Sequence, residues 1–239
     1  MNEAPPDAAS LLLIAERKTA PFERSKVRAH PVVFAAANLF FCGAMDHLLK
    51  EDPGGHYLSL FLFIEASICF LFSIGFHFQS LREILVKTSV FPATGWDRFL
   101  FTVVCIVRKP LTLALWLTAG LFMIVFYRRS PSAAAFGVAL FSMMLLDTIL
   151  LGSIMALLSI RSVEAMGALF FAIALAMIFL LVGAMVFHTG GILGALPVVS
   201  WAASGITAAE AGNGIGAASN FLYLLAMMVA GVVIGKRIA

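Results

Sequence analysis

Long apolar runs, separated by short polar turns, cover almost the whole chain. A helix that crosses a bilayer needs about 20 mostly apolar residues. Six runs approach that length, at 32–49, 57–78, 110–127, 133–160, 167–187 and 221–235. The runs are continuous, whereas a strand of a membrane barrel alternates apolar and polar residues over about 10 positions. The pattern therefore predicts an all-α, polytopic membrane protein with six transmembrane helices.

One long polar stretch, residues 79–110, interrupts this pattern between the second and third spans. It contains five basic residues and two acids, which are Arg82, Lys87, Arg98, Arg108, Lys109, Glu83 and Asp97. A turn of Pro, Ala, Thr and Gly at 92–95 separates two helix-like runs. The third span is expected to start at Pro110, although helix could already begin near Asp97. We expect residues 79–110 to lie outside the bilayer, as a surface offered to a partner.

Residues 188–220 do not have the composition of a simple span. They are rich in Gly, Ala and Ser and are broken by Pro197, by Gly205 and by the Gly-Asn-Gly sequence at 212–214. Irregular backbone at membrane depth is tolerated where protein or water surrounds it. The segment predicts two short helices that enter and leave the outer leaflet, which is a re-entrant region.

The remaining organisation is simple. Residues 1–31 form a polar tail that ends in a basic segment, PFERSKVRAH at 21–30. Such a segment is attracted to anionic lipid and is expected to lie on the membrane surface. Residues 32–239 are then expected to form one six-span transmembrane domain.

Composition and charge agree with a membrane protein. Hydrophobic residues make up 62% of the chain and charged residues 12%, whereas soluble domains carry about 25% charged residues. The net charge of +3 gives no indication of nucleic-acid binding. Of the 16 Lys and Arg residues, 13 fall in the tail, the 79–110 stretch and the other loops on that side, and 3 (Lys50, Arg128 and Arg129) on the opposite side. The excess predicts that the termini and residues 79–110 are cytoplasmic. We also expect the chain to lie in a plasma membrane, here a bacterial inner membrane.

Two acids fall inside predicted spans, Glu65 in the second and Asp147 in the fourth. An acid at mid-bilayer costs around 2.5–3.5 kcal/mol on insertion scales, so it is expected to face protein or water. Two interpretations stay open. The acids could form a proton or cation path, or they could be hydrogen-bonded ties between helices. Similarly, the 22 Phe residues could line an apolar path or face lipid.

No catalytic, metal or nucleotide motif is present in the sequence. The three Cys residues are scattered, and no paired-His motif occurs. The sequence GVVIGK at 231–236 has too few residues between its glycines for a phosphate loop, and Arg237 stands where Ser or Thr is required. Gly231 and Gly235 are better interpreted as a small-residue helix contact, as are Gly212 and Gly216. We therefore expect that the chain is not an enzyme and binds no cofactor of its own.

Three features resemble the permease subunit of a type-2, exporter-type ATP-binding cassette transporter. They are the basic segment PFERSKVRAH, the sequence SLREILVKTSVFPATGWDRFL at 80–100, and the broken segment LGALPVVSWAASGITAAEAGNG at 193–214. In that family the second feature is a coupling helix, which seats in the ATPase subunit. The third is a pair of re-entrant helices.

The resemblance implies roles for particular residues and partners. Arg82 and Glu83 match the start of the coupling element, Phe91 and Pro92 its turn, and Trp96 to Arg98 its exit. The residues that match the start of the re-entrant region are Pro197 and Trp201. The implied partners are an ATPase subunit that supplies ATP and Mg, a second identical or related permease copy, and membrane lipid.

Two other functions remain alternatives. One is a proton-coupled secondary transporter that uses Glu65 and Asp147. The other is a non-transporting membrane scaffold. For the exporter, the nearly uncharged, Phe-rich interior favours an amphipathic or lipid-like cargo over a small ion.

Overall fold

The computed structural model describes residues 30–50, 56–71, 94–127, 130–159 and 196–238, together with positions 171, 175, 176 and 179. The regular structure in these residues is entirely helical. The seven helices are α1 (His30–Lys50), α2 (His56–Leu71), α3 (Gly95–Val107), α4 (Pro110–Phe126), α5 (Pro131–Ser159), α6 (Pro197–Glu210) and α7 (Gly214–Ile238).

Three of these helices are long and apolar enough to cross a membrane, over Pro31–Lys50, Pro131–Met155 and Gly214–Ile238. Two shorter apolar helices accompany them, α2 and α4. The all-α prediction and the presence of membrane-type helices are therefore confirmed. The fifth predicted span, 167–187, lies outside the described residues except for four positions.

Helix α5 is the centre of the bundle. It packs against α2, α3, α4, α6 and α7, whereas α1 packs mainly against α4. Three of its large side chains, Leu140, Phe141 and Met144, are completely buried. A helix that is apolar on all sides is typical of such a central position.

Side-chain contacts fix how α4 lies against α5. The indole of Trp116 donates a hydrogen bond to the Ser142 hydroxyl at 2.9 Å, and Gly137 packs against Met123 and Tyr127. The two helices are therefore antiparallel, with the α4–α5 turn at one end. Helix α3 lies toward the other end, since Gly231 and Gly235, on successive turns of α7, pack against Leu150 of α5 and Phe99 of α3.

The second helix-like run predicted in the polar stretch is a helix in the structure. Helix α3 begins at Gly95, near the earlier of the two expected starts, and ends before Arg108. Thr94 and Asp97 form a capping box, in which the Thr94 side chain accepts from the Asp97 amide and the Thr94 amide donates to the Asp97 carboxylate. Helix α4 then begins at Pro110, which needs no amide partner at a first helical position.

The hairpin between α6 and α7 shows which glycines act as breaks. Gly212 has a φ of 74°, a left-handed conformation that favours glycine. The Asn213 side chain accepts a hydrogen bond from the Gly216 amide at 2.9 Å and caps α7. The break expected at 212–214 is therefore present, and Gly212 lies in a turn and not on a helix-contact face.

Gly205 was expected to interrupt the helix in the segment 188–220, and this prediction is wrong. It lies inside α6, where an added Cβ would be 2.7 Å from Leu140 Cδ1 and 3.0 Å from Asn220 Cβ. The residue therefore serves close packing of α6 on α5 and α7.

Candidate functional site

A buried polar cluster joins α1, α2 and α4. Its members are Asn38, Cys42, Glu65 and Thr118. The Asn38 amide donates to the Thr118 hydroxyl at 2.7 Å, and that hydroxyl donates to the Ala114 carbonyl at 2.8 Å. The same Asn38 side chain is within reach of the Glu65 carboxyl group. The cluster connects three helices through one asparagine.

Glu65 is the acid of this cluster and is 0% exposed. Its Oε1 atom is 4.0 Å from the Cys42 sulfur, a weak thiol donor. Its Oε2 atom has no hydrogen-bond partner. An unpaired oxygen in an apolar interior is costly when the group is charged. Burial therefore favours the protonated, neutral form of Glu65. Both interpretations of this acid stay open, a group that exchanges a proton during transport and a neutral tie between helices.

Asp147, the second predicted acid, lies on α5 and is 8% exposed. Neither of its carboxylate oxygens has a hydrogen-bond partner. Within the described part of the chain, no hydrogen bond joins it to the Glu65 cluster. Both acids are therefore buried, and in the described residues they belong to separate places in the bundle.

The described phenylalanines range from buried to exposed. Phe61, Phe63 and Phe70 are buried in the bundle, whereas Phe40 is 82% exposed on the surface of α1. The Phe61 ring lies 5.0 Å from Phe122 between centroids. The buried group packs the core, and Phe40 has the exposure expected of a lipid-facing residue.

The structure describes only part of the predicted coupling element. Arg82, Glu83, Phe91 and Pro92 are outside the described residues, and Arg98 lies on α3, its side chain also outside the description. Their nearest described neighbour is the capped start of α3.

Trp96 connects α3 to the end of α7. Its ring lies 5.8 Å from the Phe99 ring, and the Lys236 amine lies 5.9 Å from the Trp96 ring centroid, within cation–π range. An added Cβ at Gly235 would overlap the Phe99 ring. The sequence identified Gly231 and Gly235 as a contact face but gave no signal for its partners, which are Leu150 and Phe99.

The residues predicted to open the re-entrant region lie on α6. Pro197 is its exposed first residue, and Trp201 packs against Tyr223 of α7, with ring centroids 5.4 Å apart. An open cleft of about 410 Å³ lies between α2 and this hairpin. Its polar lining comes from Ser59, Ser204, Thr207 and Asn213.

Comparison with known proteins gives no relative from which function could be transferred, since no family model, curated protein or solved structure matches this chain.

Proposed function

We propose that the chain is the transmembrane permease subunit of an ATP-driven exporter, which moves an amphipathic or lipid-like substrate with a separate cassette ATPase. One observation carries the proposal. Helix α3, which directly follows the segment that resembles a coupling helix, is packed into the bundle against α5 and α7. A movement of the preceding segment therefore has a direct route into the membrane helices.

The route is mechanically suitable because α3 is rigid at its start and buried along one side. The capping box satisfies its first amide groups. Phe99, Thr102 and Ile106 are each at most 1% exposed. Close-packed interiors transmit displacement because they have low compressibility.

The rest of the proposal follows the resemblance. Six spans place both termini and residues 79–110 in the cytoplasm, and the chain lies in the plasma membrane with a second permease copy. The partner ATPase supplies ATP and Mg. The work on cargo is limited by the difference in ATPase affinity between the two membrane states.

The length of α6 supports the re-entrant part of this proposal. Its 14 residues span about 21 Å, less than the roughly 30 Å of a hydrocarbon core. It also turns directly into α7 at Gly212. A second permease copy would not use the Gly231 and Gly235 face, since Leu150 and Phe99 of the same chain occupy it.

The proposal is tested by mild-detergent purification of the tagged chain, followed by mass spectrometry and an ATPase assay. We expect a stoichiometric ATPase subunit that is lost in a variant with Phe91→Asp and Arg82→Ala. Lys50→Ala, which removes a cation at the opposite end, is the matched control and should retain the subunit. A pure, stable chain without an ATPase would contradict the proposal.

A proton-coupled secondary transporter is the second candidate, because three buried carboxylate oxygens of Glu65 and Asp147 have no hydrogen-bond partner. Its test is proton flux into vesicles that contain the purified chain alone. Flux that disappears in Glu65→Gln and Asp147→Asn, without any ATPase, would favour this candidate. A chain with neither ATPase nor flux would favour a scaffold.

A further inference from the structure

Arg108 and Lys109 lie between two apolar helices, at the point where α3 ends and α4 begins. We infer that these two side chains bind the phosphate group of an anionic phospholipid, in the leaflet nearer to α3. The inference concerns lipid and membrane depth and does not depend on an ATPase partner.

The length of α4 first places these cations at a membrane boundary. Its 17 residues span about 26 Å, close to the roughly 30 Å of a bilayer core. Tyr127 follows the far end, and Arg128 and Arg129 come next in the sequence. Tyr and basic residues are typical anchors at the two interfaces. With such anchors at both ends, α4 has the length and the flanking residues of one membrane-spanning helix.

The surroundings of Arg108 indicate contact with lipid. Its side chain is exposed, and so are those of Val104, Leu113 and Leu117 on the adjoining helices. No carboxylate among the described residues pairs with Arg108. An exposed cation beside an apolar surface is stabilised when its head reaches a phosphate at the interface.

The local backbone adds to this preference for an anion. The first amide groups of a helix have no partner within it, and the helix N-terminus carries a partial positive charge. The N-cap residue of α4 is Lys109, whose side chain does not cap the helix. A phospholipid also supplies acyl chains for Leu113 and Leu117, which free phosphate cannot do.

Placing Arg108 and Lys109 at the phosphate level also explains why α5 and α7 are longer than the hydrocarbon core is thick. Helix α5 has 29 residues and α7 has 25, or about 44 and 38 Å. Phe99 packs at Gly235, near the end of α7. Helix α3 would then lie along the projecting ends of α5 and α7, beyond the phosphate level.

The first experiment measures lipid retention by the full chain. The protein is reconstituted with phosphatidylcholine and phosphatidylglycerol, extracted gently and analysed by native mass spectrometry. Arg108→Gln with Lys109→Gln should lower the preference for phosphatidylglycerol roughly 20-fold. The control, Lys236→Gln with Arg237→Gln, removes the same charge at the end of α7 and should retain it. Equal loss in both pairs would overturn the inference.

Two further experiments test whether lipid loss comes from the lost charge and whether the bound anion is a lipid or free phosphate. Arg108→Lys with Lys109→Arg keeps both charges and should retain the lipid, so loss there would contradict a phosphate site. Inorganic phosphate at moderate concentration should not displace the lipid, and complete displacement would indicate a free-anion site instead.

A depth measurement needs no change at Arg108. Lipids brominated on the acyl chains should quench Trp116 in Trp96→Phe/Trp201→Phe, since Trp116 lies six residues, or about 9 Å, beyond the start of α4. They should hardly quench Trp96 in Trp116→Phe/Trp201→Phe. Equal quenching of both would place α3 within the hydrocarbon and overturn the inference.

Discussion

At the scale of single residues, the buried polar groups of α1, α2 and α4 are the most informative. The Asn38 amide on α1 donates to Thr118 on α4 and lies near Glu65 on α2. One side chain therefore connects α1 to two other helices. A buried donor is worth most where its loss leaves another polar group unpaired. The sequence pointed to Glu65 from its depth, but only the packing shows that Asn38 and Thr118 belong with it.

Asn38→Leu should destabilise the protein by about 1–3 kcal/mol, because the Glu65 carboxyl loses its amide neighbour while remaining buried. Thermal unfolding in detergent measures the change. Ser219→Ala is the control, since its exposed hydroxyl bonds only within its own helix. A neutral result for Asn38→Leu would mean that the cluster does not tie the helices.

Glu65→Gln separates the two interpretations of the acid. Gln preserves the size and hydrogen-bonding capacity of the side chain but cannot release a proton at ordinary pH. If Glu65 is a structural tie, unfolding temperature and transport should both remain near those of the unchanged protein. Stability that persists while transport is lost would assign the acid to a proton or cation path.

At the scale of elements, α3 packs closely on α7 because Gly235 has no side chain. Gly235→Ala should push Phe99 away and destabilise this contact, because the added Cβ overlaps an aromatic ring. Gly120→Ala is the control. No side-chain atom lies within 4 Å of a Cβ there, so a gain of up to about 1 kcal/mol is expected from helix propensity.

Combining Gly235→Ala with Phe99→Ala checks the cause. The pair should cost less than the sum of the two single changes, since removing the ring also removes the overlap. Unfolding of all four proteins gives the coupling energy. Strict additivity would show that Gly235 acts for a reason other than its contact with Phe99.

The capping box of α3 can be tested separately. Thr94→Ala should destabilise the helix start by about 1 kcal/mol. Hydrogen exchange should then quicken in the first turn of α3 and leave α4 unchanged. Ser132→Ala, at the start of α5, is a comparable change outside α3. Unchanged exchange at residues 95–98 would contradict a stabilising role for this cap.

At the scale of the whole molecule, the two ends of the bundle differ in character. The α4–α5 turn and the α6–α7 hairpin lie at one end, as the proximity of Tyr127 to Glu210 shows. Trp96 and Lys236 lie together at the other end. The distribution of basic residues predicts that the end with Trp96 and Lys236 faces the cytoplasm.

Cysteine labelling tests this sidedness. In a Cys42→Ala, Cys69→Ala, Cys105→Ala background, Ser130→Cys and Asn213→Cys should react with an impermeant thiol reagent in intact cells. Thr94→Cys should react only after permeabilisation, because it lies at the opposite end. The same accessibility at all three positions would contradict the predicted orientation.

The sequence by itself determined the class of the protein and most helix boundaries. Apolar length specifies where helices can cross a bilayer, and Pro, Gly and charged residues specify where they stop. These are local properties, so the starts of α4 and α5 and the turn at Gly212 could be predicted within a few residues. The tertiary structure decided what each local feature contacts. Gly205 could break a helix or admit Leu140, and α3 could stand free in water or pack against α5 and α7. Such outcomes depend on residues distant in sequence, whose proximity arises only when the helices pack.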